Sequence, residues 1–303
     1  LESARTLGTF APPASEFLRW RMLPADGLPE IPVRAAASSW DLFALDADGS
    51  VSTLSSYQRG CETWSESTVL GTPPASFDGA SIVADIPNDR LLVFGGLSIA
   101  GAIGDTYEFS AGQWNQLGAE GLSARGGHVA VDVGDGMIVA GGGTCIAPCD
   151  DISPVYDVWK FDYEMGSWSI VTTTGMPLIL HATAVHNIFD DRILVYGGCS
   201  DVTCSQYRHD VWALDSSMAW TKIETTGTPP PAGPASAFFD PFDGSLVVVA
   251  LPTFGSARVF SLSLSNSVWT ELDPHPGPRT FHGLAMSDAQ LVLFGGKRPS
   301  ATE

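Results

Sequence analysis

The chain has 303 residues, 44% of them hydrophobic and 16% charged, which provides for a large core and excludes a disordered polypeptide. Its 15 Lys and Arg against 34 Asp and Glu give a formal net charge of -19, which repels phosphate backbones and anionic lipid surfaces and sets nucleic acid aside as a partner. No apolar run reaches the roughly 18 residues of a membrane-spanning helix, so no membrane span is expected.

In chain order, the sequence opens at Leu1 without an initiator Met or the regions of a signal peptide, and reads as a processed chain or an excised part. Thr6 to Phe10 and Phe17 to Met22 read as two strands, the second carrying Trp20. Another strand spans Trp40 to Asp46, and Asp46-Ala47-Asp48-Gly49 reads as a hairpin turn because the later acidic ligands of a calcium loop are missing. Leu91 to Phe94 runs into Gly95-Gly96, Met137 to Ala140 into Gly141-Gly142, Ile193 to Tyr196 into Gly197-Gly198, and Leu291 to Phe294 into Gly295-Gly296. A short strand ending in or near an acidic turn precedes each Trp of the repeat, as in Asp157 to Asp162 before Trp168 and Asp210 to Asp215 before Trp220. Around Trp40 to Asp46 and Leu246 to Leu251 the glycine pair is absent.

Trp20, Trp64, Trp114, Trp168, Trp220 and Trp269 follow one another at intervals of 44, 50, 54, 52 and 49 residues, marking six units of about four strands each. Apolar strand, Gly-Gly, variable loop, aromatic strand, turn and Trp together resemble the kelch repeat family over nearly the whole chain. The resemblance implies an all-β, six-bladed kelch-type β-propeller with four antiparallel strands per blade, forming one domain over residues 1-303. The expected blades are 33-70, 76-118, 124-172, 181-225, 235-272, and 279-297 completed by 5-23, so that the N-terminal strands close the ring and leave few open edges. In this reading the repeated Trp and Gly residues build the blades: the glycines allow close approach of inner strands, and the Trp fills the space between neighbours.

Long loops on a rigid scaffold are the usual place for recognition. In a four-stranded meander the loops joining second and third strands share a face with the blade-to-blade connections. That face carries Leu97 to Gly104, Gly143 to Tyr156 and Cys199 to His209, and is the expected site. Cys145 with Cys149 and Cys199 with Cys204 read first as local disulfides, placing the protein in an extracellular or secreted setting. Pairing across the two loops, a zinc site and free thiols are the other readings, and Cys61 reads as a small buried residue. Asp150, Asp151, Asp157, Asp201 and Asp210, with His209 beside them, make the loops a candidate for a bound cation, against the plainer reading of solvated loops.

His128, His181 and His282 stand near the starts of three inner strands, and Arg125 and Arg279 each precede such a His by three residues, with Arg34 placed similarly. The plain reading is structural, with polar groups bonded to backbone near the channel. The functional reading is a ring of Arg34, Arg125 and Arg279 that binds a carboxylate or sulfate, assisted by His128 and His282.

The sequence lacks the marks of the copper radical oxidases and specifier proteins that share such propellers, and no cofactor is expected. The leading expectation is a module that recognises a protein or glycan through the loop face, and the alternative is a small-anion or sugar-acid enzyme of epimerase type with an Arg-lined channel.

Overall fold

The computed structural model describes backbone and side chains for residues 69-118, 121-147, 149, 151-250 and 258-272, and the backbone alone of further strands between 7 and 66 and between 280 and 297. Four antiparallel meanders occupy the fully described region. Blade A consists of Ser81–Asp85, Arg90–Phe94, Thr106–Ser110 and Gln113–Leu117. Blade B consists of Val129–Asp132, Gly136–Ala140, Val158–Asp162 and Ser167–Val171. Blade C consists of Thr183–Asn187, Arg192–Tyr196, Val211–Leu214 and Trp220–Ile223. Blade D consists of Ala235–Asp240, Ser245–Ala250, Arg258–Ser263 and Val268–Glu271.

Two further sheets are described by backbone. Arg34–Ala37, Asp41–Leu45, Val51–Ser55 and Ser65–Glu66 pair in that order, and Trp20–Leu23, Leu7–Phe10, Gln290–Lys297 and Thr280–Ser287 form a second sheet. Leu7–Phe10 therefore lies antiparallel to Gln290–Lys297, with Thr9 opposite Val292. The innermost strands of blades A to D stand side by side in chain order. Thr280–Ser287 neighbours both the inner strand of blade D and Arg34–Ala37, which in turn neighbours the inner strand of blade A. The chain is an all-β propeller.

The blades adhere because each buries apolar side chains against the next. Val83, Leu92 and Phe94 of blade A pack with Met137, Val139 and Phe161 of blade B, while Val129, Ile138 and Ala140 of blade B pack with Ile193, Val195 and Trp220 of blade C. Trp168, Trp220 and Trp269 fill these seams. The Trp168 ring lies 5.1 Å from Phe94, and its indole N–H donates to Thr106 Oγ1 of blade A at 2.9 Å. Trp269 of blade D meets Tyr196 of blade C edge-on at 5.8 Å. A buried Trp removes about 150–250 Å² from water, worth up to ~4–6 kcal/mol, which explains why this residue keeps the period.

The glycine pair is required by contact between blades. Gly142 N donates to Ile179 O at 2.7 Å, and Gly96 N makes the same bond to Arg125 O at 2.8 Å. At Gly141, with φ +68°, a Cβ would lie 2.6 Å from the Ile179 carbonyl oxygen, so only glycine fits.

The blade-to-blade connections cover part of the outer sheet edge of blades A, C and D. Leu70 bridges Gln113 in parallel, Thr174 bridges Ala219, and Thr226–Gly227 runs parallel to Val268–Trp269. Each covering segment carries a glycine at positive φ, followed two residues later by Pro: Gly71-Thr72-Pro73, Gly175-Met176-Pro177 and Gly227-Thr228-Pro229. At these positions the edge's main-chain groups are occupied, which shortens the stretch open to pairing with foreign strands.

The expected acidic turns have a local cause. Asp162 Oδ1 accepts from the amides of Glu164 and Met165, and Asp215 Oδ1 accepts from those of Ser217 and Ala219. Asp132, Asn187 and Asp240 do the same at the ends of the inner strands.

Candidate functional site

The two cysteine pairs are local disulfides, Cys145–Cys149 and Cys199–Cys204, with Cα separations of 5.0 and 4.8 Å. The loops they close are braced differently. The blade B loop leans on its neighbour: Gly101 and Ile146 form an antiparallel bridge, and Ala102 N donates to Cys145 O at 3.2 Å. The blade C loop is organised around Asp201, whose carboxylate accepts from Thr203 N at 2.9 Å, Thr203 Oγ1 at 2.6 Å and Ser205 Oγ at 2.5 Å. The Ser205 and Thr203 hydroxyls hold the Asp201 carboxyl well below the usual range.

These loops and the blade A loop beside them expose large apolar side chains. Ile99 is 96% exposed and Ile146 90% exposed, with Tyr156 and Val202 also open to solvent. An aliphatic residue in that setting gains free energy only when a partner covers it. Asp151 and His209 are exposed on the same loops.

Asp157 and Asp210 leave the acidic group by pairing elsewhere. Asp105, Asp157 and Asp210 each stand before a third strand, where their carbonyls accept from Gly95, Gly141 and Gly197. Asp105 receives the Gln116 amide, Asp157 receives Arg125 and the Trp159 indole, and Asp210 pairs with Lys222 at 3.0 Å. Asp150 lies outside the described residues. Among the described residues no group of three or more His, Cys, Asp or Glu is arranged to hold a metal ion.

Arg125 is wholly buried. Its Nε donates to Ser123 O at 3.1 Å, Nη1 to Gly141 O at 3.1 Å and to Asp157 Oδ1, and Nη2 to Ser123 Oγ at 2.7 Å and Asp157 Oδ2 at 3.1 Å. A guanidinium has five N–H donors, and all five are used within the protein. Burial pushes the Asp157 carboxyl up, but the bonds from Arg125 and Trp159 outweigh it and hold the group below its usual value.

His128 is also buried, its Nε2 2.7 Å from Ser81 Oγ and its ring 5.1 Å from Phe94. His181 is offset from it by one position. The bonds Gly127 N to Gly79 O and His181 N to Gly127 O align His181 with Gly127, and all three take positive φ. Arg34 begins a strand described by backbone alone, as does the strand holding His282, and Arg279 lies outside the described residues.

Sequence reasoning grouped Asp157 with the loop acids and so missed it as the partner of Arg125. The available signal was the Asp immediately preceding the third strands of blades A, B and C, at 105, 157 and 210.

The family model described as the KLHDC2/KLHL20/DRC7 Kelch-repeats domain matches residues 45-249. Human multiple epidermal growth factor-like domains protein 8 is 31% identical over 242 residues, which cover 69% of this chain and 8% of that protein. Arabidopsis thaliana acyl-CoA-binding domain-containing protein 5 is 23% identical over 273 residues, or 82% of this chain and 40% of that protein. Rattus norvegicus kelch domain-containing protein 3 is 25% identical over 239 residues, or 71% and 60%. The chain thus spans less than two thirds of each of these relatives. A matched family model over residues 45-249, on an all-β propeller whose glycine pairs recur in blades A to C, places this chain in the kelch-repeat family.

Proposed function

We propose that this chain is a protein-binding module, a six-bladed kelch propeller that works outside the cell through its loop face. The observation that carries the reading is Ile99 and Ile146, almost fully exposed on adjoining loops fixed by a disulfide and a β-bridge. A partner that covers them gains apolar burial at a reduced cost in conformational freedom, because the disulfide and the bridge already restrain these loops. The six-blade count is supported by the order in which inner strands neighbour one another and by the pairing of Leu7–Phe10 with Gln290–Lys297. The two disulfides and the similarity to a protein named for its epidermal growth factor-like domains support the extracellular setting. A small-anion or sugar-acid site in the channel draws no support from Arg125, whose donors are all engaged.

The test is binding of the purified chain to an array of extracellular protein domains, repeated with Ile99→Asp and Ile146→Asp. A specific partner should bind the parent chain and lose about tenfold or more in affinity with either variant at unchanged Tm. Equal binding by both variants would move the interface off this face.

A further inference from the structure

On the opposite side of the blades a cleft of about 230 Å³ lies between blades B and C, toward their tight turns. Its apolar wall is built from Val133, Ile138, Val171, Ile193, Leu214 and Met218. Its polar lining is Asp135, Lys160, Asp191, Asp215 and Ser216. Lys160 Nζ lies 2.7 Å from Asp135 Oδ2, so one carboxylate is matched by the lysine. Asp191 accepts from, or pairs with, His186 Nε2 at 2.8 Å and remains 77% exposed, and Asp215 faces the amides of its own turn.

Size and chemistry together restrict the occupant. The volume is below the roughly 300–1,000 Å³ of pockets for drug-sized molecules and suits one side chain. No aromatic ring lines it, so a sugar has no stacking surface, and three carboxylates against one lysine disfavour an anion. An aliphatic stem ending in a cation matches an apolar wall with an acidic rim.

We propose that this cleft seats a lysine or arginine side chain of a protein partner, its stem on the wall of Ile138, Ile193, Leu214 and Met218 and its head at Asp191 and Asp215. The chain's excess of 34 acidic over 15 basic residues favours encounter with a basic surface. The site is separate from the loop face and stands or falls independently of it.

The probe is Nα-acetyl-lysine methylamide, with acetyl-norleucine methylamide as its uncharged counterpart, followed through the methyl NMR signal of Met218. The lysine compound should shift that signal saturably in the millimolar range, and the norleucine compound should bind more weakly. Lys160→Gln removes the competing cation and should tighten binding about fivefold, while Asp191→Asn should weaken it by a similar factor, the scale of one exposed ion pair. Asp191 sits at φ +56°, a conformation that Asn also adopts, so this variant keeps the turn. A non-saturating titration, equal binding of norleucine, or unchanged affinity in either variant would overturn the proposal.

Discussion

Blades B and C are built on the same backbone frame but attach different polar groups to it. Ile179 occupies in blade C the place of Arg125 in blade B, since each carbonyl receives the amide of the preceding blade's second glycine. Without an arginine there, Asp210 turns to Lys222, whose side chain is 41% exposed, whereas Asp157 closes a buried network. Their loops diverge likewise: one is stitched to its neighbour, the other is closed on itself around Asp201. Backbone contacts between blades are therefore shared, while the side-chain partners of Asp157 and Asp210 differ between the two blades.

The largest expected effect breaks the comparison at the paired aspartates. Asp157→Ala leaves the Arg125 charge buried without its partner and should cost about 3 kcal/mol in urea unfolding. Asp210→Ala removes a largely solvated pair and should cost under about 1 kcal/mol. Equal losses would mean that the two blades do not differ in the way described.

Replacing both cysteines of either disulfide by Ser should cost about 2 kcal/mol for loops this short. Hydrogen exchange should separate them. Loss of Cys145–Cys149 should speed exchange at Ala102, whose acceptor is Cys145 O, and so reach blade A. Loss of Cys199–Cys204 should stay within its own loop.

Asp240 of blade D is buried where blade C has Asn187, and both side chains accept a turn amide through Oδ1. Burial raises the Asp240 carboxyl above its usual value. Asp240→Asn keeps the acceptor, removes the charge, and should raise stability by about 1 kcal/mol or less at neutral pH.

The smallest effect is in pH dependence. The Asp157 carboxyl is held below its unfolded value of 3.8, so its contribution is complete above that value and is lost as pH falls through the folded one. Asp240 acts in the opposite sense: its folded value lies above 3.8, so the penalty it imposes at neutral pH is relieved from that folded value downward and is gone below 3.8. Unfolding of Asp157→Ala should show a flatter acid limb than the parent, and Asp240→Asn a steeper fall in stability on acidification.

The sequence by itself determined the all-β propeller, the seams and the interblade contacts. Trp168 and the Gly141-Gly142 pair satisfy constraints that recur with each blade, namely a space between neighbouring sheets and a backbone approach that excludes a Cβ. Such constraints leave a period of about fifty residues, and a period can be read without coordinates. The local disulfides were legible for a related reason, since Cys145 and Cys199 lie within five residues of their partners. Only the tertiary structure decided that Arg125 is consumed by Asp157, that His181 is aligned with Gly127, and that Ile99 and Ile146 stand exposed on adjoining loops. It also decided where Lys160, Asp191 and Asp215 converge on one cleft. An ion pair 32 residues apart in sequence, or a cleft between two blades, depends on where separate strands meet in space, and no spacing along the chain specifies that meeting.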